Sequence, residues 1–520
     1  MNSKTKTILK IFITAALLIW CGLFLTRQID LSTADLGEHI KNGQIIFTGG
    51  WTEVQKLWHT NLYSFTYPNY SFINHHWGGG VVFYLVAKIA GFPGLSLFYI
   101  ILLTAAFWFF FAVARKSGGF IAAVFLAFVL LPIITERVEV RPEIFSYFLA
   151  GFFFWLIWNC RHGKIKTGWL WLLPVLEIFW VNLHVYFFLG PVIILYFLAE
   201  EIWQEGLPLW PKHKNLILIF LIACAATLIN PFGLFGALEP LNIFQNYGYL
   251  TAENQGVIFL EKLGHGDGLH FILLQIFAGL SFLGFIILFL KNRRNFPWIN
   301  FIFFLALFIL AFFAVRNLPI FALFALPLAA EGLAKLMPKN LSETKTIIVG
   351  SLAGIIILAF IFSGVSVLES RADFGLGLRP GENTAADFFK TNHLQGPIFN
   401  NFDIGSYLIY YLYPQEKVFV DNRPEAYPVS FFKNDYIPMQ EDKQKFATED
   451  AKYNFNAIFF SYRDFTPWSQ EFLIRMVSDP AWAPVYADQY NIILLKRNAQ
   501  NAALIKQFEL PPETFGVSKQ

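Results

Sequence analysis

Four polar residues near the N-terminus have the spacing of a single working face. Asp35, Glu38, His39 and Asn42 stand at i, i+3, i+4 and i+7 in DLGEHIKNG. If 34–44 is helical they share one side, with Leu36 and Ile40 turned elsewhere. Two carboxylates and a histidine on one stripe can take a proton from a hydroxyl or hold a divalent cation. The same residues also suit a helix start, with Ser32 as cap and Asp35 as the acid of the first turn. Asp30 lies outside the stripe and reads as a linker residue.

Other chemistry-bearing residues recur in short polar breaks between apolar runs: His75 and His76, the turn 136–143 (ERVEVRPE), Asn182 with His184, and Arg316 with Asn317. Arg137 and Arg141 suit a phosphate or pyrophosphate, since guanidinium forks match such oxyanions. They could equally pair with Glu136, Glu139 or Glu143. Adjacent histidines on a helix point about 100° apart, so His75 and His76 resemble a metal pair only superficially. His184 and Arg316 fit a ligand site or an interhelical tie. Farther along, Asp421-Asn-Arg-Pro-Glu425 follows the apolar KVFV, where an α/β sheet would face a ligand or make a turn with an Asp–Arg pair. No Gly-rich phosphate loop, cysteine metal spacing or Gly-x-Ser-x-Gly elbow occurs, which disfavours a soluble nucleotide-using enzyme.

The elements that must position these residues are membrane spans. Of 520 residues, 56% are hydrophobic and 14% charged, against about a quarter charged in a soluble domain, and the mean hydropathy is +0.50. Eleven apolar runs approach the roughly 20 residues a span needs: 8–25, 95–114, 120–135, 144–158, 169–181, 185–202, 216–229, 269–290, 298–315, 318–333 and 346–368. The first is read as a retained span rather than a signal peptide. With the N-terminus cytoplasmic, every cytoplasmic loop is basic: Lys4, Lys6 and Lys10; Arg115 and Lys116; Arg161, Lys164 and Lys166; Lys212 and Lys214; Lys291, Arg293 and Arg294; Lys335, Lys339 and Lys345. Positive-inside bias therefore favours N-in and C-out, which places all the polar breaks above on the outer side. The net charge of +3 says nothing of nucleic acid, and Cys21, Cys160 and Cys224 sit in apolar segments as small buried side chains.

The expected architecture is mainly α. Residues 1–368 form a polytopic transmembrane bundle with a large first outer loop, 26–94, in which 78–89 is a helix lying in the membrane interface. Residues 369–520 form a small extracytoplasmic α/β domain, with strands at PIFNN, KVFVDNR, AIFFSY and NIILLK and helices at 384–393, GSYLIYYLYP and PWSQEFLIRMVSD. A transporter should show midplane polar sites in paired repeats; the ionisable clusters sit at the outer interface and no repeat is seen.

Taken in order, DLGEHIKNGQII, NLYSFTYPNYSFINHHW, FPGLSLF, VRPEIFS, WVNLH, RNLPIFAL and NNFDIGSYLIYYLYPQEKVFVDNRPEAY resemble the GT-C superfamily of polytopic glycosyltransferases, in particular bacterial members of uncertain substrate. The likeness covers nearly the whole chain. It implies a hexosyl or pentosyl transferase of the plasma membrane, acting in the cell envelope, that moves a sugar from a polyprenyl-phosphate carrier to an outward-facing glycan, lipid or protein acceptor with inversion. Asp35 takes the position of the base, with Glu38 and His39 beside it. Arg141 and then Arg137 take the phosphate, with His75, His76, His184 and Arg316 as further substrate contacts. Many relatives carry a second acid in the next outer loop, for which Glu136 and Glu139 both qualify. Basic side chains or a divalent cation, magnesium or manganese held by Asp35, Glu38 or His39, would balance the leaving phosphate. The sequence departs from its relatives in having Asp-x-x-Glu rather than Asp-x-Asp or Asp-x-Glu, and His76 where an acid is common. The other readings are a non-catalytic scaffold of the same fold and a cell-envelope polysaccharide ligase or polymerase.

Overall fold

Uninterrupted apolar runs satisfy every backbone donor and acceptor within one segment only as helices, and the chain uses them so. A computed structural model describes residues 3–206, 213–242, 245–264, 268–336 and 373–515. Ten of the expected spans coincide with helices there. Six helices are long and apolar enough to cross a membrane: Lys4–Leu25, Trp77–Ser117, Glu143–Arg161, Val185–Glu205, Phe271–Lys291 and Val315–Leu336. Phe120–Ile134, Thr167–Leu183, Lys214–Ala226 and Trp298–Phe313 are apolar but shorter. The expected span 346–368, with Lys212, Lys339 and Lys345, lies outside the described residues. Many outward side chains are large and apolar, among them Ile8, Phe12, Leu221, Leu280 and Phe313. An aqueous surface would not present so many; a lipid-facing one does. The chain is a multi-pass membrane protein.

Its packing falls into two units. The first comprises 1–27, 96–240 and 251–376 within the described residues; the second comprises 28–95, 241–250 and 377–520. In the first, Phe120–Ile134 lies along Leu318–Leu336, Glu143–Arg161 along Leu189–Glu205, and Leu172–Leu183 along Lys214–Ala226. Phe110, Phe154, Tyr196, Phe303 and Phe324 interlock at its centre, with ring centroids 4.6–5.9 Å apart.

The second unit is built on a four-stranded sheet in the order β1-β2-β4-β3. β1 (Ile398–Asn400) runs parallel to β2 (Ala457–Ser461); β4 (Asn491–Lys496) is antiparallel to β2 and to β3 (Trp482–Ala487). The expected helices appear as Thr384–Thr391, Gly405–Leu412 and Pro467–Met476. KVFV is not a strand of this sheet. Val418 makes a single bridge to Ser64, and the Phe419 N–H donates to Asn400 Oδ1 at 2.9 Å. The run serves instead as core: Phe399, Phe419, Phe431, Phe446, Phe455, Phe460 and Phe472 form one buried aromatic cluster with Phe72 from the N-terminal segment.

Two glycine positions shape the part that carries the polar stripe. The helix Leu36–Thr48 crosses the helix beginning at Trp77 so closely that a Cβ on Gly43 would stand 2.1 Å from the Gly80 carbonyl oxygen. The helix from Trp77 breaks at Gly91, whose φ of 64° and ψ of −166° are open to glycine. The helix expected at 78–89 is the segment before that break.

Candidate functional site

The helix expected over 34–44 forms over Leu36–Thr48, so that Glu38, His39 and Asn42 lie within it. Asp35 is itself the N-cap of Leu36–Thr48 and makes no side-chain cap hydrogen bond; Glu38 stands in the first turn. Ser32 is not the cap. Its hydroxyl donates to Asp30 Oδ1 at 2.6 Å, and its N–H donates to Glu382 Oε1 at 2.8 Å. Asp30 is no linker residue either: it pairs with Arg379 and lies 3.1 Å from Arg463.

Glu38, His39 and Asn42 are buried rather than solvated. Asn42 donates to Glu38 and accepts from the Tyr63 hydroxyl at 2.7 Å. His39 Nδ1 lies 3.1 Å from Glu38 Oε2, and the His39 ring meets His76 edge-on at 5.5 Å. The His75 ring lies beside that of His76, tilted by 53° with centroids 3.9 Å apart, and its Nδ1 is 3.2 Å from the Ile73 carbonyl. Arg423 completes the cluster. It holds Asp421 through Nε and Nη2, both at 2.8 Å, donates to Asn61 Oδ1 at 2.9 Å, and places Nη1 3.6 Å from Glu38. The Asp–Arg turn expected at 421–423 is thus present and also reaches the N-terminal stripe. Burial pushes the Glu38 carboxyl up, but His39, when protonated, together with Arg423 and the Asn42 hydrogen bond outweighs it and holds the carboxyl below its usual value.

Glu382 behaves oppositely. Burial, then the Asp30 charge, raises its carboxyl to about 8 from 4.5. The folded state therefore keeps a proton that the unfolded chain releases above about 4.5, and stability falls as pH rises between those values. Glu382→Gln removes that dependence. Thermal melts in detergent should coincide for variant and wild type near pH 4.5 and separate toward pH 8, the variant melting higher. A gap that does not widen with pH would sink this assignment.

In the first unit, Arg137, Arg141 and Arg316 converge on a residue that sequence reasoning missed, Glu253. Arg141 Nη1 donates to Glu253 Oε2 at 2.6 Å and Arg137 Nη2 to the same oxygen at 2.9 Å; Arg316 Nη1 stands 3.6 Å from Oε1. Glu143 adds contacts at 3.1 Å to Arg137 and 3.7 Å to Arg316, and Glu139 lies 2.7 Å from Arg141. Burial would raise Glu253, but Arg141, Arg137 and Arg316 hold it well below the usual carboxylate range. Between the two candidate second acids the structure shows a contrast. Glu139 is paired and half exposed, whereas Glu136 keeps a buried oxygen with no hydrogen-bond partner among the described residues, and burial raises it to about 7. His184 sits in a relay: Trp180 Nε1 donates to Ser146 Oγ at 2.8 Å, which lies 2.8 Å from His184 Nδ1, and the Tyr186 N–H reaches the same nitrogen at 3.3 Å. That makes Nδ1 an acceptor and His184 an interhelical tie.

Among the described residues no three His, Cys, Asp or Glu side chains converge as a metal would need. Glu38 is already taken up by Asn42, His39 and Arg423, so its donor set does not fit a cation.

The sequence matches no protein-family model, and no curated protein matches it. Solved structures do. The archaeal oligosaccharyltransferase AglB from Archaeoglobus fulgidus, in complex with an inhibitory peptide and a dolichol-phosphate, aligns with 92% of this chain and 73% of its own at 13% identity and a TM-score of 0.57. The apo form of the Archaeoglobus fulgidus oligosaccharyltransferase aligns with 93% and 74% at 13% identity and a TM-score of 0.60. ArnT from Cupriavidus metallidurans bound to undecaprenyl phosphate aligns with 95% and 98% at 14% identity and a TM-score of 0.48. At these identities what the two oligosaccharyltransferase structures share with this chain is the fold.

Proposed function

From a chain that has the GT-C fold, we propose a membrane glycosyltransferase that moves a sugar from a polyprenyl-phosphate carrier to an outward-facing acceptor. Asp35 removes the proton of the acceptor hydroxyl. The oxygen attacks the anomeric carbon from the face opposite the leaving group, and the carbon–oxygen bond to phosphate breaks with inversion. The electron pair leaves on the polyprenyl phosphate, whose developing charge a positioned cation stabilises.

The observation that carries this reading is the convergence of Arg137 and Arg141, from one turn, with Arg316, from a distant one, on one carboxylate. Guanidinium groups that share a carboxylate oxygen can pair in the same way with a phosphate oxygen, which supports the reading. Arg141 leads in this role and Arg137 follows. Glu136, which burial raises to about 7 so that it carries a proton part of the time at neutral pH, is the better of the two second acids, because Glu139 is committed to Arg141.

The test is direct. Membranes containing the protein receive polyprenyl-phosphate carriers bearing labelled hexoses or pentoses, and label is followed out of the lipid phase. Transfer from one carrier class, absent from membranes without the protein, is the expected result. Label that stays carrier-bound for every sugar would leave the scaffold reading standing.

A further inference from the structure

A second feature of the membrane-embedded unit lies apart from the arginine cluster. Between the first helix and the helix ending at Ser117 runs a groove of about 1070 Å³. Ile11, Ala15, Leu18, Ile19, Ile100 and Ile101 give it an apolar floor. At one end stand Lys10, Arg115 and Lys116, brought there by two different elements, and among the described residues no Asp or Glu lines the groove. Lys10 Nζ lies 5.6 Å from the Phe120 ring centre, which fixes it at the 115–120 end. Arg115 lies 4.7 Å from the Trp108 ring centre. At the other end Gly22 faces Ile100.

We propose that this groove binds an anionic phospholipid, its phosphate held by Lys10, Arg115 and Lys116 and an acyl chain laid along the apolar floor. Lengths agree. From Lys10 to Gly22 the helix rises about 18 Å, close to one leaflet of a hydrocarbon core roughly 30 Å thick. The chemistry agrees too: an apolar trough ending in unopposed cations selects a lipid with a net negative headgroup over a zwitterionic one. The site is distinct from the arginine cluster. Lys116 bonds Asn159 at 2.7 Å, and Asn159 lies about 24 Å along its helix from Glu143. By the charge bias of the loops the groove's basic end faces the cytoplasmic leaflet, so its occupant is a resident lipid rather than a donor consumed on the outer side.

Native mass spectrometry of the full chain, released from detergent with phosphatidylglycerol or phosphatidylcholine of matched acyl chains, tests this. Wild type should retain phosphatidylglycerol in preference to phosphatidylcholine. Lys10→Gln with Arg115→Gln should weaken that retention by about 30-fold. Lys291→Gln with Arg294→Gln, exposed basic residues elsewhere, should leave it unchanged. Ala105→Phe, which fills the floor without touching a charge, should also displace the lipid. Equal retention of both lipids by wild type, retention that survives either groove variant, or no lipid retained at all would each overturn the proposal.

Discussion

Asp35→Asn should lower sugar transfer by about 10²- to 10⁴-fold while leaving thermal stability within about 0.5 kcal/mol. The two halves of that expectation rest on different observations. Asp35 occupies the N-cap position, its backbone near the helical region (φ −73°, ψ −5°), and its side chain makes no cap hydrogen bond. Asparagine is as good an N-cap residue as aspartate and has nearly the same shape, so the cap itself is kept. A general base is different: an amide cannot accept the acceptor's proton, and that loss falls on the transition state alone. Glu38 offers no such clean separation. Its oxygens serve Asn42, His39 and Arg423 in a buried cluster, so its amide would disturb packing and charge together. Rates from labelled carrier and melts in detergent, on the same preparations, decide the matter. Unchanged transfer would remove Asp35 as the base. A parallel loss of transfer and stability would make it a structural cap.

What could be read in advance was what is local. Apolar runs specify helices without help from distant residues, and ten of them are helices. In the C-terminal part, β1, β2 and β4 were legible because Phe, Ile and Leu cluster between turn residues. β3 was missed because WAPVYA is interrupted by Pro484, where the register against β4 shifts. The helix Lys443–Tyr453 was missed because KQKFATEDAKY buries little beyond Phe446 and so shows no apolar stripe. KVFV reads as a strand by composition, yet its run is spent on the aromatic core rather than on a ladder.

The site divides the same way. Spacing alone put Glu38, His39 and Asn42 on one face. It could not show that the face is buried, or that Arg423, 385 positions after Glu38 in the chain, supplies its counter-charge. Glu253, 112 positions from Arg141, lies in a loop rich in Gly, Asn and Pro where a lone acid carries no pattern. The turn 136–143 itself holds three acids, Glu136, Glu139 and Glu143, enough by count for Arg137, Arg141 and Arg316, so nothing in the sequence called for a fourth. Ten of the 61 phenylalanines build the core of the sheet-containing unit.

Glu253→Gln should cost about 3–5 kcal/mol, the usual penalty for taking one partner from a buried ionic cluster. Arg137 keeps Glu143 and Arg141 keeps Glu139, which pulls the value toward the lower end; Arg316 is left with a contact of 3.7 Å to Glu143. Two further measurements separate a structural tie from an anion site. Because Glu253 is depressed in the folded state, its contribution is complete above the ordinary carboxylate value of 4.5 and is lost as pH falls through its lower folded value. The gap between variant and wild type should therefore be full near neutral pH and close in strong acid. Second, the variant cluster is one anion short, and the phosphate of a polyprenyl carrier can supply it. Saturating carrier should then raise the melting temperature of Glu253→Gln more than that of wild type, in which the carboxylate already competes for Arg141 and Arg137. A variant that is destabilised but gains no more from the carrier than wild type would make Glu253 and its three arginines a brace within the membrane unit, and the phosphate would have to be held elsewhere.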